Sequence, residues 1–297
     1  MEHVNQDELE ERVRDITTNI LSLGPAGQLH PVGGGTGGTD YWIILFTHVL
    51  EELSIRNGGF RPGFMKNAYI PKASWPNIPK AALALGDRQF EPGRCLFKFG
   101  KEKHLRQALE TGSIRISPAS SYSDPSLNYA VCDDELRFTI KVPGKGMSIQ
   151  KVDEMTLKPV GKTIPVVANI SMTRRVPTDY LVFCLSAKYE LRALDDFEAD
   201  CCLVIKDSKA FINRLLEATA PNLQRWTAYA RAVDYLDPLN TKPEEVKPYF
   251  AKHFRFAYQN EVRVVWLPPE SVPKAQTIFA SLGSLEDIAE LLLAPAV

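Results

Sequence analysis

Net charge is nearly absent from this chain: 35 Lys and Arg stand against 36 Asp and Glu, a formal −1 over 297 residues. No global field therefore draws it toward nucleic acid or a membrane surface, though local basic patches stay open. Long hydrophobic runs are missing too. The purely apolar stretches are as short as Tyr41 to Phe46, far below a membrane span. The opening MEHVNQDELEERVRD is acidic and polar, the opposite of a secretory leader. Five cysteines, an odd number without a C-x-x-C, argue against a disulfide framework or a zinc ribbon. They read as reduced core residues of a cytoplasmic protein. No His, Cys and carboxylate cluster has metal-ligand spacing, and G-x-S-x-G is absent.

What is present is ordinary globular material: 44% hydrophobic and 24% charged residues, enough for one large domain or a domain with an appendage. Leu9, Val13, Ile16, Ile20 and Leu23 recur at helical spacing and predict a helix over 6–23. A Gly-rich loop, Gly33 to Gly38, precedes a second helix from Thr39 to about Leu53. Its lack of a Gly-Lys-Ser/Thr ending makes it a hinge rather than a phosphate loop. Residues 57–79, rich in Gly, Pro and aromatics, read as irregular, a lid or a wrapping segment. The pattern changes near residues 86–92, so 1–90 is expected to be an N-terminal helical extension and 91–297 the main domain.

From there strands dominate. Arg94 to Phe99, Ser113 to Ser117, Glu135 to Val142, Ser148 to Val152, Leu181 to Ser186 and Asp200 to Lys206 read as strands. Helices are expected at 101–111, closed by Gly112, at 208–218, and at the end over 283–293 behind a Ser cap. Strands and helices mix without βαβ alternation, which predicts an α+β fold with a mostly antiparallel core.

The most informative stretch is Tyr249 to Trp266, YFAKHFRFAYQNEVRVVW. From Gln259 the alternation predicts a strand with Gln259, Glu261 and Arg263 on a wet face and Val262, Val264 and Trp266 in the core. A carboxylate held between an amide and a guanidinium on a rigid strand is a candidate site; on an edge strand the same residues are solvated charges. Arg263 is expected to pair with Glu261 or Asp134. The lead-in Lys252, His253, Phe254, Arg255, Phe256 mixes cations with aromatics, as a single-stranded nucleic-acid groove does.

In order, LFKF, GSIRISPASSYSDP, VFCLS, YQNEVRVVW and LGSLEDIAEL resemble a widespread prokaryotic family that reads YKY, L-x-L-S-P-x-x-F-N-D-P, FCLS and E-x-R. That family in turn resembles the ADP-ribosyltransferases, over Arg94 to about Leu293. The resemblance implies a split antiparallel β-core that grips NAD as co-substrate. It puts Lys98 where a basic or His residue meets the NAD ribose or phosphates, though here it is Lys. It also puts Ser186 on the serine-bearing strand, Gln259 and Glu261 in a Gln-x-Glu pair, and Tyr122 against the nicotinamide. Arg115 would share the pyrophosphate charge, and Ser117 would donate a hydrogen bond. Breaking the nicotinamide–ribose bond develops an oxocarbenium-like centre, which a fixed carboxylate such as Glu261 stabilises while Gln259 orients the nucleophile.

The implied activity is ADP-ribosyl transfer to a macromolecule, nucleic acid (RNA or DNA) ahead of protein. The implied setting is a toxin or antiviral effector with a cognate antitoxin. Two alternatives stand beside it: a non-catalytic nucleotide- or partner-binding module on the same fold, and an NAD glycohydrolase with water as acceptor. Each residue also has a plain structural role open to it. Lys98 can snorkel, Ser186 can end a strand, and Tyr122 and Asp124 can build a turn.

Overall fold

The computed structural model describes residues 4–24, 28–31, 39–57, 84–86, 88–91 and 93–294. The Gly-rich loop and residues 58–79 lie outside that set. Helix α1 spans Gln6–Ile20. Asn5 begins it by accepting from the Glu8 amide, while the Glu8 carboxylate accepts from the Asn5 amide, a reciprocal cap. The helix ends three residues earlier than its periodicity predicts. Leu21–Leu23 instead forms β1, which pairs with β2 (Leu29–Pro31), because a backbone partner is at hand. Helix α2 (Thr39–Asn57) packs against α1.

The main sheet is built from β3 (Leu96–Gly100), β4 (Ser113–Pro118), β9 (Leu181–Ser186), β10 (Cys201–Ile205), β11 (Thr227–Ala232), β14 (Glu261–Leu267), β15 (Ile278–Ser281) and β16 (Ala289–Leu293). Its order is β11-β14-β9-β3-β10-β16, with β15 and β4 branching from β9. All of these pairings are antiparallel, so the architecture is α+β with a mostly antiparallel sheet. A long ribbon projects between β4 and β9: β5 (Arg137–Val142) pairs with β8 (Ile170–Arg175), and β6 (Ser148–Val152) with β7 (Pro159–Pro165). A short parallel pair, β12 (Asp234–Leu236) and β13 (Ala251–His253), completes the strands.

One expectation fails at the chain end. Residues 283–293 do not form a helix; Ala289–Leu293 is β16, covering the edge of β10 from Cys201 to Ile205. An uncovered edge strand exposes a row of unpaired amides and carbonyls, and satisfying them outweighs the weak helical spacing of Leu285, Ile288 and Leu292.

Alternation along the strands sorts the core into layers. Leu96, Leu203, Ile205, Leu181, Phe183, Val264 and Trp266 face α3 (Glu102–Thr111) and α5 (Ser208–Thr219), where Leu105, Ala108, Phe211 and Leu215 pack. The Trp266 indole donates to Thr219 Oγ1 at 3.2 Å. Phe97, Phe99, Cys202 and Val204 face the other side, under Leu191 and Leu194 beside α4 (Arg192–Asp196). Cys201 and Cys202 thus point to opposite faces, as adjacent strand residues must.

Helix α1 is tied to the main domain. Leu9, Val13 and Ile16 are fully buried with Phe254, and each such side chain contributes roughly 1.5–3 kcal/mol. Arg12 forms a buried fork on Asp237, and Arg192 donates to the carbonyls of Thr18 and Leu21. The Asn19 side chain donates to Phe254 O and accepts from the Tyr258 amide. The helix therefore braces the segment that leads into Glu261.

Candidate functional site

The site is made by a fork in the sheet. β14 flanks β9 along its whole length, from Glu261–Ser186 to Trp266–Leu181. On the other side, β9 meets β3 only at Phe97–Ser186 and β4 only at Ser117–Val182 and Pro118–Leu181. Between those two grips β3 and β4 part, joined by the α3 crossover. Gly112 closes α3 in the left-handed region at φ 67°, which turns the chain into β4.

Two cavities open at the fork. One, of about 300 Å³, is lined by Lys98, Tyr122, Glu135, Cys184, Ser186, Lys252, Gln259 and Glu261, with Phe97, Phe99 and Phe197. The other, of about 390 Å³, lies between β3, α3 and β4, lined by Lys98, His104, Arg115, Ser117, Tyr122 and Phe183. Lys98, Tyr122 and Leu185 line both. All seven residues singled out from the sequence thus border one of two adjoining cavities, although Arg115 and Ser117 do not reach the cavity that holds Glu261.

Lys98 sits on the face opposite Phe97 and Phe99, as its alternation predicts. Its ammonium donates to Cys184 O at 2.8 Å and lies 5.0 Å from the centre of the Phe183 ring. Among the described residues no carboxylate pairs with it. Burial lowers its pKa below the ordinary lysine range, against the opposing pull of Cys184 and Glu261. Ser186 Oγ lies 2.8 Å from the carbonyls of both Lys188 and Gln259, which share its one proton, so it pins the end of β9 to the segment before β14. Burial raises the Tyr122 phenol well above its usual value. Asp124 accepts from the Ser126 amide at 2.9 Å and builds the turn beyond Tyr122.

The strand expected from Gln259 begins two residues later. Phe254–Gln259 is a 3-10 helix, ended by Asn260 in the left-handed region at φ 46°. Asn tolerates that conformation because its side chain bonds locally, here to Tyr258 O at 2.9 Å. Gln259 and Glu261 therefore flank a reversal rather than alternate on a strand. Their side chains still meet, because both accept from Lys252 Nζ, at 3.1 and 2.7 Å.

The face expected to be wet is buried: Glu261 is 5% exposed and Arg263 0%. Their charges are balanced by two residues the strand pattern does not point to, Lys252 and Glu135. Arg263 Nε donates to Glu261 Oε1 at 2.5 Å and Nη2 to Glu135 Oε1 at 2.7 Å; Lys252 Nζ lies 3.8 Å from Glu135. The carboxylate that joins Glu261 on Arg263 is thus Glu135, while Asp134 pairs with Arg137 at 3.6 Å. Burial works against the charged form of Glu261, but Arg263 and Lys252 outweigh it and hold its carboxyl below the usual range. In Glu135 burial prevails over the same two cations and pushes the carboxyl up to about 7. Two carboxylates sharing two cations in a dry site are driven apart in this way.

The lead-in to this strand is no nucleic-acid groove. Lys252, Phe254 and Phe256 are 5%, 4% and 0% exposed, and the Lys252 ammonium lies 4.6 Å from the centre of the Phe256 ring. Those aromatics are packing, and Lys252 serves the carboxylates. A polar residue on a strand that faces a core looks the same in sequence as one that faces water, so nothing in the spacing marked Glu135 or Lys252.

Among the described residues no group of three His, Cys, Asp or Glu is placed to hold a metal ion, and no helix is long and apolar enough to cross a membrane. Compared with protein-family models, curated proteins and solved structures, the chain matches none.

Proposed function

We propose that this chain is an NAD-dependent ADP-ribosyltransferase working at the sheet fork. The observation that carries the reading is convergence: Lys98, Tyr122, Ser186, Gln259 and Glu261, spread over much of the chain, line one cavity, which adjoins a second bearing Arg115 and Ser117. Each cavity falls near the small end of ligand-site volumes, about 300–1,000 Å³, and the pair suits an elongated ligand. The nicotinamide ribose of NAD would lie against Glu261, Gln259 and Tyr122. Its pyrophosphate would pass Lys98, whose ammonium has no carboxylate partner among the described residues, toward Arg115. The bond from nicotinamide nitrogen to the anomeric carbon breaks, and nicotinamide leaves neutral with the bonding pair. The acceptor's lone pair closes on that carbon, and its proton passes to Glu135.

A second reading is a nucleotide-binding module without catalysis. The observation favouring it is that both Glu261 oxygens are occupied, by Arg263 at 2.5 Å and Lys252 at 2.7 Å. Incubation with labelled NAD and separate protein, RNA and DNA pools tests the two. Nicotinamide release that falls at least a hundredfold in Glu261→Gln, with label on one pool, fits the transferase. Release with only free ADP-ribose makes water the acceptor. Calorimetric NAD binding without release favours the module, and neither binding nor release removes both.

A further inference from the structure

The ribbon formed by β5–β8 and β6–β7 plays no part in the fork, yet it is strongly basic. Residues 137–175 hold eight of the 35 Lys and Arg but only two of the 36 Asp and Glu. A nearly neutral molecule thus owns one strongly basic arm and an acidic remainder.

The arm is a single hairpin in two parts. At the joint, a Cβ on Gly144 would meet Ala168 O at 1.9 Å, so the strands cross there closely enough to require glycine. Beyond it every residue of β6 and β7 is exposed, and the ribbon runs on the order of 30 Å from Gly144 to the turn at Asp153. Lys151, Lys158 and Lys162 project from this outer part, and Arg174 and Arg175 from the base. Among the described residues none of these five makes an ion pair.

The outward face at the base shows the same bias. Arg137 stands directly opposite Arg175, and Thr139 opposite Thr173, their hydroxyls 2.9 Å apart. Like charges facing each other across a ladder destabilise it. Asp134 offsets Arg137 at 3.6 Å, so Arg175 is the cation of this pair left for an anion, and a polyanion lying along the ribbon would engage it together with the lysines.

We infer that the ribbon of residues 137–175 is a docking arm for duplex DNA, laid along the major groove with its lysines on the flanking phosphates. A two-stranded ribbon fits that groove, about 12 Å wide in B-form DNA, whereas the deep, narrow major groove of A-form RNA does not admit it. An anionic lipid surface fits less well. The arm's exposed apolar side chains, among them Ile149, Met155, Leu157, Ile164 and Val167, are interleaved with its cations, and the tip that a lipid surface would have to take up carries the acidic Asp153 and Glu154. The inference does not rest on the chemistry proposed for the fork.

The test is fluorescence anisotropy of the full chain with a labelled 20-base-pair duplex over a salt series, without NAD. Lys151→Glu, Lys158→Glu and Lys162→Glu combined should weaken binding at least tenfold. The salt slope should fall by about 0.9 for each lost phosphate contact. The matching triple Arg variant should retain binding. Because all three side chains are exposed, melting of each variant should match the parent and so separate lost binding from lost fold. No binding by the parent overturns the inference, as does equal binding by the charge-reversed variant. Binding to anionic vesicles or to RNA with none to duplex DNA overturns it as well.

Discussion

Replacing Lys252 with Met tests whether the buried quartet at the fork is held by charge balance. Lys252 is 5% exposed and donates to Glu261 and Gln259 at 2.7 and 3.1 Å, with Glu135 at 3.8 Å. Methionine keeps the volume and the packing on Phe256 but leaves two carboxylates to share Arg263. Removing one partner of a buried ion pair costs about 3–5 kcal/mol, because the opposite charge stays buried and uncompensated. That is a large part of a typical total stability of roughly 5–15 kcal/mol. The penalty must depend on pH. A carboxyl whose folded pKa lies above the ordinary 4.5, as the Glu135 value of about 7 does, adds stability below pH 4.5 that is lost as pH rises through 7. Loss of Lys252 raises that carboxyl further, so the variant should approach the parent near pH 5 and fall furthest behind it near pH 8. Adding Glu135→Gln restores neutrality, and the double variant should recover at least about 1.5 kcal/mol over the single one at pH 8. Urea unfolding of the four proteins at both pH values measures all of this. A penalty independent of pH, or strict additivity of the two changes, refutes the charge-balance account.

Two other sites give separate tests. His253 Nδ1 accepts from the Arg255 amide at 3.1 Å. Burial, followed by the repulsion of Arg255, lowers its pKa from 6.5 to about 3. Its contribution is complete above pH 6.5 and lost as pH falls toward 3, so the parent should lose roughly 2–3 kcal/mol from this group between about pH 7.5 and 4.5. His253→Asn, which keeps a capping acceptor but does not titrate, should show a flatter acid limb in urea unfolding; an unchanged limb excludes His253 as the cause. At Gly112, a Cβ would meet Gly283 O at 2.1 Å on a backbone at φ 67°. Gly112→Ala should therefore cost at least about 2 kcal/mol by thermal unfolding, and a neutral result would mean that the Leu282–Gly283 segment yields freely.

Elements with both a strong pattern and a clear stop were legible in the sequence. Leu181 to Ser186 was a strand to the residue, and α3 ended at Gly112 because only a left-handed residue fits there. What failed was decided by partners distant in sequence. The final segment became β16 because β10 needed its edge covered. The polar face of β14 went inside because Lys252 and Glu135 came from elsewhere to neutralise it. For the site, the meeting of Lys98, Ser186 and Glu261 at one cavity was implied by the family resemblance, not by spacing or periodicity. The ion pairs that now occupy Glu261 could not, since charge compensation leaves no periodic mark.

The fork has a mechanical consequence. Its two prongs are each clasped by the same short tail: β15 lies along β4, and β16 lies along β10, which in turn holds β3. The connector between them is anchored on α3, through Leu282 N–H to Gly112 O and Leu285 N–H to Leu109 O. Residues 278–293 thus tie both prongs to one another through a single continuous segment. Shortening or lengthening that segment should therefore alter the gap where Lys98 and Tyr122 stand.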